Sequence, residues 1–233
     1  MNRSIFLLCT LVSALLAGCG GGGGGSSAPA GPVTSTLSFP FQSAYSALVA
    51  GGYTKSYTVS GTCSGTANET AGAASSGATF EGVNGRLSVT GTLTISLTNC
   101  TPASIASTST TYYDSNYIPL GTNTVGGNYS VFLTPPSLPT SVLVGSTGVV
   151  GTITRYTNST KSTAAGRGDY SYVVEADTAS TAIINLIDKE YNASSTLTGT
   201  QQSRYRIAAT GALVPVSIDV QYANGSTTHL VFQ

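Results

Sequence analysis

Three observations predict an all-β chain, folded as an antiparallel sandwich or a partly closed barrel. Apolar residues alternate with Ser, Thr and Gly at period two, the spacing of a half-buried strand. Tyr, Val, Ile and Thr fill these runs, and Asn-, Gly- and Ser-rich turns separate them. Charged residues make up only 8% of the 233 positions, against ~25% in ordinary soluble domains. Ser, Thr, Asn and Gly must therefore solvate the fold. The length suits one ordinary domain or two small ones.

The first eighteen residues read as a targeting segment. Arg3 supplies a positive start, and Ile5 to Leu16 an apolar stretch shorter than the ~20 residues a membrane-spanning helix needs. It ends in Leu16-Ala17-Gly18-Cys19, which resembles the lipobox of bacterial lipoprotein precursors. Small residues at Ala17 and Gly18 let a peptidase approach the backbone, and the Cys19 thiol accepts the diacylglycerol. The resemblance implies a signal peptide over 1–18, acylation of Cys19 and attachment to a membrane through N-terminal acyl chains. Gly20 stands after Cys19 where Asp would mark inner-membrane retention, so the resemblance to Gram-negative lipoproteins implies the outer membrane.

Residues 19–34 form a tether. Gly20 to Gly25 is an unbroken glycine run, followed by Ser, Ala and Pro. Such a segment cannot bury enough apolar area to offset its entropy, and disorder is expected.

Residues 35–134 read as an N-terminal β half. Ser43 to Ala50 is the one plausible short helix, ended by Gly51-Gly52. Tyr53, Tyr57 and Val59 alternate with Thr and Ser, and Leu87, Val89, Leu93, Ile95 and Leu97 make the clearest strand. Cys9 leaves with the signal peptide and Cys19 is acylated, so Cys63 and Cys100 remain as one pair in an oxidising compartment. A disulfide between them should stabilise the fold by about 3–4 kcal/mol. With no second thiol or histidine nearby, neither a metal site nor a cofactor is expected.

Three prolines in Thr134 to Pro139 exclude a central strand and mark a connector. Residues 140–233 then read as an antiparallel meander, forming with the first half either one compact unit or a second module. Its strands cover Val149 to Tyr156, Tyr170 to Ala176, Gln202 to Ala208, Val214 to Tyr222 and Thr227 to Phe232. Tyr129 to Leu133 is one more strand, just before the connector. Ala182 to Ile187 fits a buried helix or a buried strand, and its β-branched content favours the strand. A Tyr followed by an Asx or Ser turn recurs at Tyr113-Asp114, Tyr156 to Asn158, Tyr191-Asn192 and Tyr222 to Asn224. Asn224-Gly225 suits a type I′ hairpin.

A membrane-spanning barrel is disfavoured, because few runs show ~9–11 residues of lipid-facing alternation and many outward positions carry Ser or Thr. Once Arg3 is removed, eight basic residues face nine acidic ones, a net charge of −1. That leaves no basic patch for nucleic acid.

Candidate chemistry is sparse. His229 is the sole histidine, and it reads as a solvent-facing strand residue. Glu175 and Asp177, like Asp188 and Glu190, have the spacing of paired carboxylates on one strand face. Both pairs read as solvated acids near turns, with Arg204 and Arg206 as cross-strand partners. Arg167-Gly168-Asp169 is expected in an exposed turn. Tyr112, Tyr113 and Tyr117 are the candidate ligand contacts, since exposed aromatics stack on sugars or seat in a partner.

The functional expectation is a non-enzymatic, lipid-anchored envelope protein with a binding or display role, its protein or glycan partner unspecified. One alternative is a carrier for a small apolar or glycan ligand, which requires a pocket lined with Tyr and Ile, Leu or Val. The other is a hydrolase using His229 or a carboxylate pair.

Overall fold

A computed structural model describes residues 32–223 and 227–233. Cys19, residues 19–31 of the tether and the Asn224-Gly225 turn lie outside the described residues, whereas Val33, expected within the tether, bridges to Asp177.

The described residues contain one helix, α1 (Phe41–Gly51), and thirteen strands. These are β1 (Tyr53–Gly61), β2 (Ser64–Ala71), β3 (Ser75–Phe80), β4 (Val83–Thr98), β5 (Ser104–Tyr113), β6 (Pro119–Thr124) and β7 (Tyr129–Phe132), then β8 (Thr147–Tyr156), β9 (Ala164–Ala176), β10 (Thr181–Asn192), β11 (Leu197–Ala208), β12 (Leu213–Ala223) and β13 (Thr227–Phe232). The predicted helix and the predicted strand at Ala182 to Ile187 are both present. Neighbouring strands pair antiparallel from β4 to β13, and β13 returns to β1 through Val59↔Phe232 and Gly61↔Leu230. β2 pairs with both β1 and β4, closing a ring of twelve strands. β3 stays outside the ring, held on the protruding first half of β4.

The fold is thus a closed barrel, neither a sandwich nor a partly open one. Closure removes every edge from the ring, and bulges at Tyr112/Tyr113, Arg204/Tyr205 and Glu190/Tyr191 help the wall curve. The proline-rich connector separates no modules: β7 before it pairs directly with β8 after it.

Alternation sorts the wall into two faces. Thr54, Ser56 and Thr58 of β1, Thr66, Asn68 and Thr70 of β2, and Thr90, Thr92 and Thr94 of β4 are exposed on the outside. Tyr57, Val59, Ala67, Ile95 and Leu97 turn inward, where they pack with Ile218, Val220, Leu230 and Phe232. The Cys63–Cys100 disulfide, with its Cα atoms 5.9 Å apart, lies against this cluster.

Eight-stranded barrels can fill their interior with wall side chains, but a twelve-stranded ring is wider. This barrel fills one end with its own N-terminal segment. Phe39, Phe41 and Ala44 pack against Val174, Ala182, Ile184, Ile207 and Leu213. Phe39 and Val142 exchange backbone hydrogen bonds at 2.9 Å, and Ser35 Oγ donates to the Ala179 carbonyl at 2.9 Å. Gly52, at φ +70°, stops α1 and turns the chain into β1. A Cβ there would stand 2.5 Å from the Ala71 carbonyl oxygen, so the corner requires glycine.

Candidate functional site

Between these two apolar clusters the lumen holds a cavity of about 330 Å³. Tyr45, Leu48 and Val49 of α1 bound it at one end. Its wall comes from Tyr53 of β1, Glu69 of β2, Val89, Gly91 and Leu93 of β4, Ser107, Ser109, Thr111 and Tyr113 of β5, and Tyr170, Asp188, Gln201, Tyr205 and Ile218 farther round the ring. Tyr45, Tyr53, Tyr170 and Tyr205 are only half-buried although they point inward, because they face this space.

Glu69 organises one wall. It stands opposite Lys55, diagonally between Tyr53 and Tyr57. The Tyr53 hydroxyl donates to Oε1 at 2.8 Å and the Tyr57 hydroxyl to Oε2 at 2.7 Å. Removal from bulk water pushes both phenols well above their usual range, and the Glu69 charge pushes them further, so they remain protonated donors. Tyr205 is raised for the same reasons, against a hydrogen bond with Tyr53 that lowers it. The Lys55 ammonium sits 5.5 Å from the centre of the Tyr57 ring.

A second polar group lies on the inner wall across β8 to β10. Arg155 Nη2 donates to Asp188 Oδ2 at 2.8 Å, and Nη1 pairs with Glu190. Burial raises the Asp188 carboxyl, with Arg155 pulling the other way. Burial likewise raises Glu190, to about 7, against Arg155. The pair Asp188/Glu190 is therefore not solvated as the sequence suggested: the register Asp188↔Tyr170 and Glu190↔Gly168 points it into the barrel.

The other sequence candidates are dispersed. Glu175 and Asp177 face outward and meet Arg204 at 3.3 Å and Arg206 at 2.7 Å, the expected partners reached across β10. His229 is exposed on the outer wall, 2.8 Å from Asp219. Arg167-Gly168-Asp169 lies within β9 and not in an exposed turn. Gly168 is buried, and the Arg167 guanidinium stacks 4.0 Å from the Tyr191 ring.

Tyr112, Tyr113 and Tyr117 occupy three environments. Tyr113 is buried and lines the cavity. Tyr112 points outward under Phe80, with ring centroids 4.5 Å apart. Tyr117, at φ +60°, lies in the β5–β6 turn beside a shallow depression next to α1. The sequence reading missed Glu69, Arg155, Ser107 and Ser109. The strands of Glu69, Ser107 and Ser109, β2 and β5, have few apolar residues, and Glu69 shows as an inward acid only once Ala67 and Ala71 are known to flank it on that face. Arg155 sits on the predicted β8, but its partners come from β10. Searches against protein families, curated proteins and solved structures found no match to this chain.

Proposed function

We propose that this chain is a lipid-anchored protein of the bacterial outer membrane whose barrel lumen binds a small molecule. The cavity carries the reading. A partly enclosed space lined by five tyrosines together with Leu48, Val49, Val89, Leu93 and Ile218 has the mixed apolar and polar wall of ligand sites, which span ~300–1,000 Å³. The anchor rests on the Leu16 to Cys19 lipobox and the glycine tether. A hydroxyl-rich outer wall supports it, since a lipid-embedded barrel needs an apolar outward band.

Binding is favoured over catalysis by how the polar groups are held. Glu69 is tied by two tyrosines and Asp188 by Arg155. Glu190, the carboxyl raised to about 7, is not among the residues lining the cavity, and His229 stands on the outer wall.

The test is a thermal-shift screen of one- and two-ring small molecules on the full chain and on Gly91→Leu. Gly91 faces the cavity, and a Cβ there meets its nearest atoms at 3.6 and 3.8 Å, ordinary contact distances, so a side chain at this position starts without a backbone clash. Compounds that stabilise the parent and not the variant support the proposal. A screen with no hits, or with hits that stabilise both equally, overturns it. Metabolic acyl labelling of the parent against Cys19→Ala tests the anchor separately, and acylation persisting in the variant would refute it.

A further inference from the structure

We infer, on the reading that the lumen binds a small molecule, that its ligand is a neutral, hydroxyl-rich ring of about the size of one pyranose. Size is the first argument. At about 330 Å³ the space sits near the lower limit of ~300 Å³ for ligand pockets, room for one substituted ring and little more.

The hydroxyl groups are the second. Ser107 and Ser109 are successive inward residues of β5, opposite Leu93 and Gly91. Both line the cavity, and neither side chain hydrogen-bonds to another described residue. Hydroxyls placed inside a protein take partners, so these two are available to water or to a ligand that replaces it. An apolar ring would strip their water and return nothing, weakening binding by roughly tenfold for each hydroxyl left unpaired. A polyol restores both hydrogen bonds. Tyr53 and Tyr205 supply aromatic faces for the C–H side of such a ring.

Charge is the third. Both carboxylates on the lining already have partners, Glu69 in the Tyr53 and Tyr57 hydroxyls and Asp188 in Arg155. Lys55 of β1 and Arg155 of β8 also point inward, but neither is among the residues lining the cavity. Each lining carboxylate therefore already has a donor or cation of its own to offset its charge, and an anion meets Glu69. A carboxylate fixed by two tyrosines can still accept from a ligand hydroxyl, because its two oxygens offer about four lone-pair sites.

The test uses the full chain, extracted in a detergent without a sugar headgroup. Tyrosine emission is a direct probe, since the protein has 13 tyrosines and no tryptophan. D-glucose, D-galactose, N-acetyl-D-glucosamine and myo-inositol are titrated alongside cyclohexanol. The inference expects saturable binding of at least one of the four polyols. That binding should weaken by roughly tenfold or more in Ser107→Ala/Ser109→Ala, whose melting temperature stays unchanged, and vanish in Gly91→Leu. Binding of cyclohexanol alone overturns the polyol class and leaves the lumen as a binding site. Polyol binding that survives both variants overturns the location. If no probe binds, the polyol class falls, and the lumen reading stands or falls by the Gly91→Leu screen.

Discussion

Arg155 on β8 and Asp188 on β10 meet inside the barrel at 2.8 Å, reaching across β9 where the intervening residue is Gly168. A Cβ at Gly168 would stand 2.7 Å from Asp188 Oδ1 and 2.9 Å from Arg155 Nη2. Any larger residue displaces the ion pair. Gly168→Ala should destabilise the protein by about 1–3 kcal/mol, the usual cost of overpacking, and urea denaturation would measure it. Arg155→Leu should cost more, about 3–5 kcal/mol, because it strands two buried carboxyls without their cation. A loss below 1 kcal/mol would mean that water replaces the guanidinium at no cost.

Glu190 links this cluster to pH. Its carboxyl is raised from 4.5 to about 7 by burial, against the pull of Arg155. Below pH 4.5 it carries a proton in both folded and unfolded chains and has no effect. Between 4.5 and 7 the unfolded chain releases the proton first, so stability falls as pH rises through this window. Asp188 is raised as well and acts in the same direction. Glu190→Gln should therefore gain stability relative to the parent as pH rises from 5 to 8, by on the order of 1–3 kcal/mol. Paired urea titrations at pH 5 and pH 8 read the difference directly. An equal offset at both values would show that Glu190 does not titrate in this range.

The plug at the α1 end should be worth as much as a core residue elsewhere. Phe41 is fully buried, and its ring meets Tyr172 edge-on with centroids 5.7 Å apart. Phe41→Ala should cost about 3–5 kcal/mol. Hydrogen exchange would locate the effect: β9 to β12, which carry the residues under Phe41, should lose protection before β4 and β5.

The disulfide staples the β1–β2 corner to the β4–β5 corner at the far end. Replacing Cys63 and Cys100 together by Ser should cost about 3–4 kcal/mol. The barrel should keep its far-ultraviolet spectrum, because β1, β2 and β4 remain joined by their own ladders. A complete loss of that spectrum at room temperature would show that the crosslink is needed for closure.

Local chemistry was legible in the sequence. Asp114, Asn158 and Asn192 accept backbone N–H groups in the turns that follow Tyr113, Tyr156 and Tyr191, because Asx side chains close such turns with neighbouring atoms alone. The helix stop at Gly51-Gly52 and the strands with apolar alternation depend on equally short-range features, and the Cys63–Cys100 bridge, across 37 residues, followed from counting the cysteines left to pair. β2, β3, β5 and β6 did not show themselves. Their Ser-, Thr- and Gly-rich runs carry too little apolar contrast between faces for period two to register.

Tertiary structure decided which face is inside and what meets there. Closure depends on Val59 meeting Phe232 and on β2 reaching β4 past β3, contacts between distant residues that no local pattern encodes. A twelve-stranded ring is too wide to fill from its wall, so polar groups occupy the inner face as well as the outer one. For that reason Asp188 and Glu190 read as surface acids in the sequence and stand buried against Arg155 in the fold. In the same way, Ser107, Ser109 and Glu69 became a candidate site only once the barrel had closed around them.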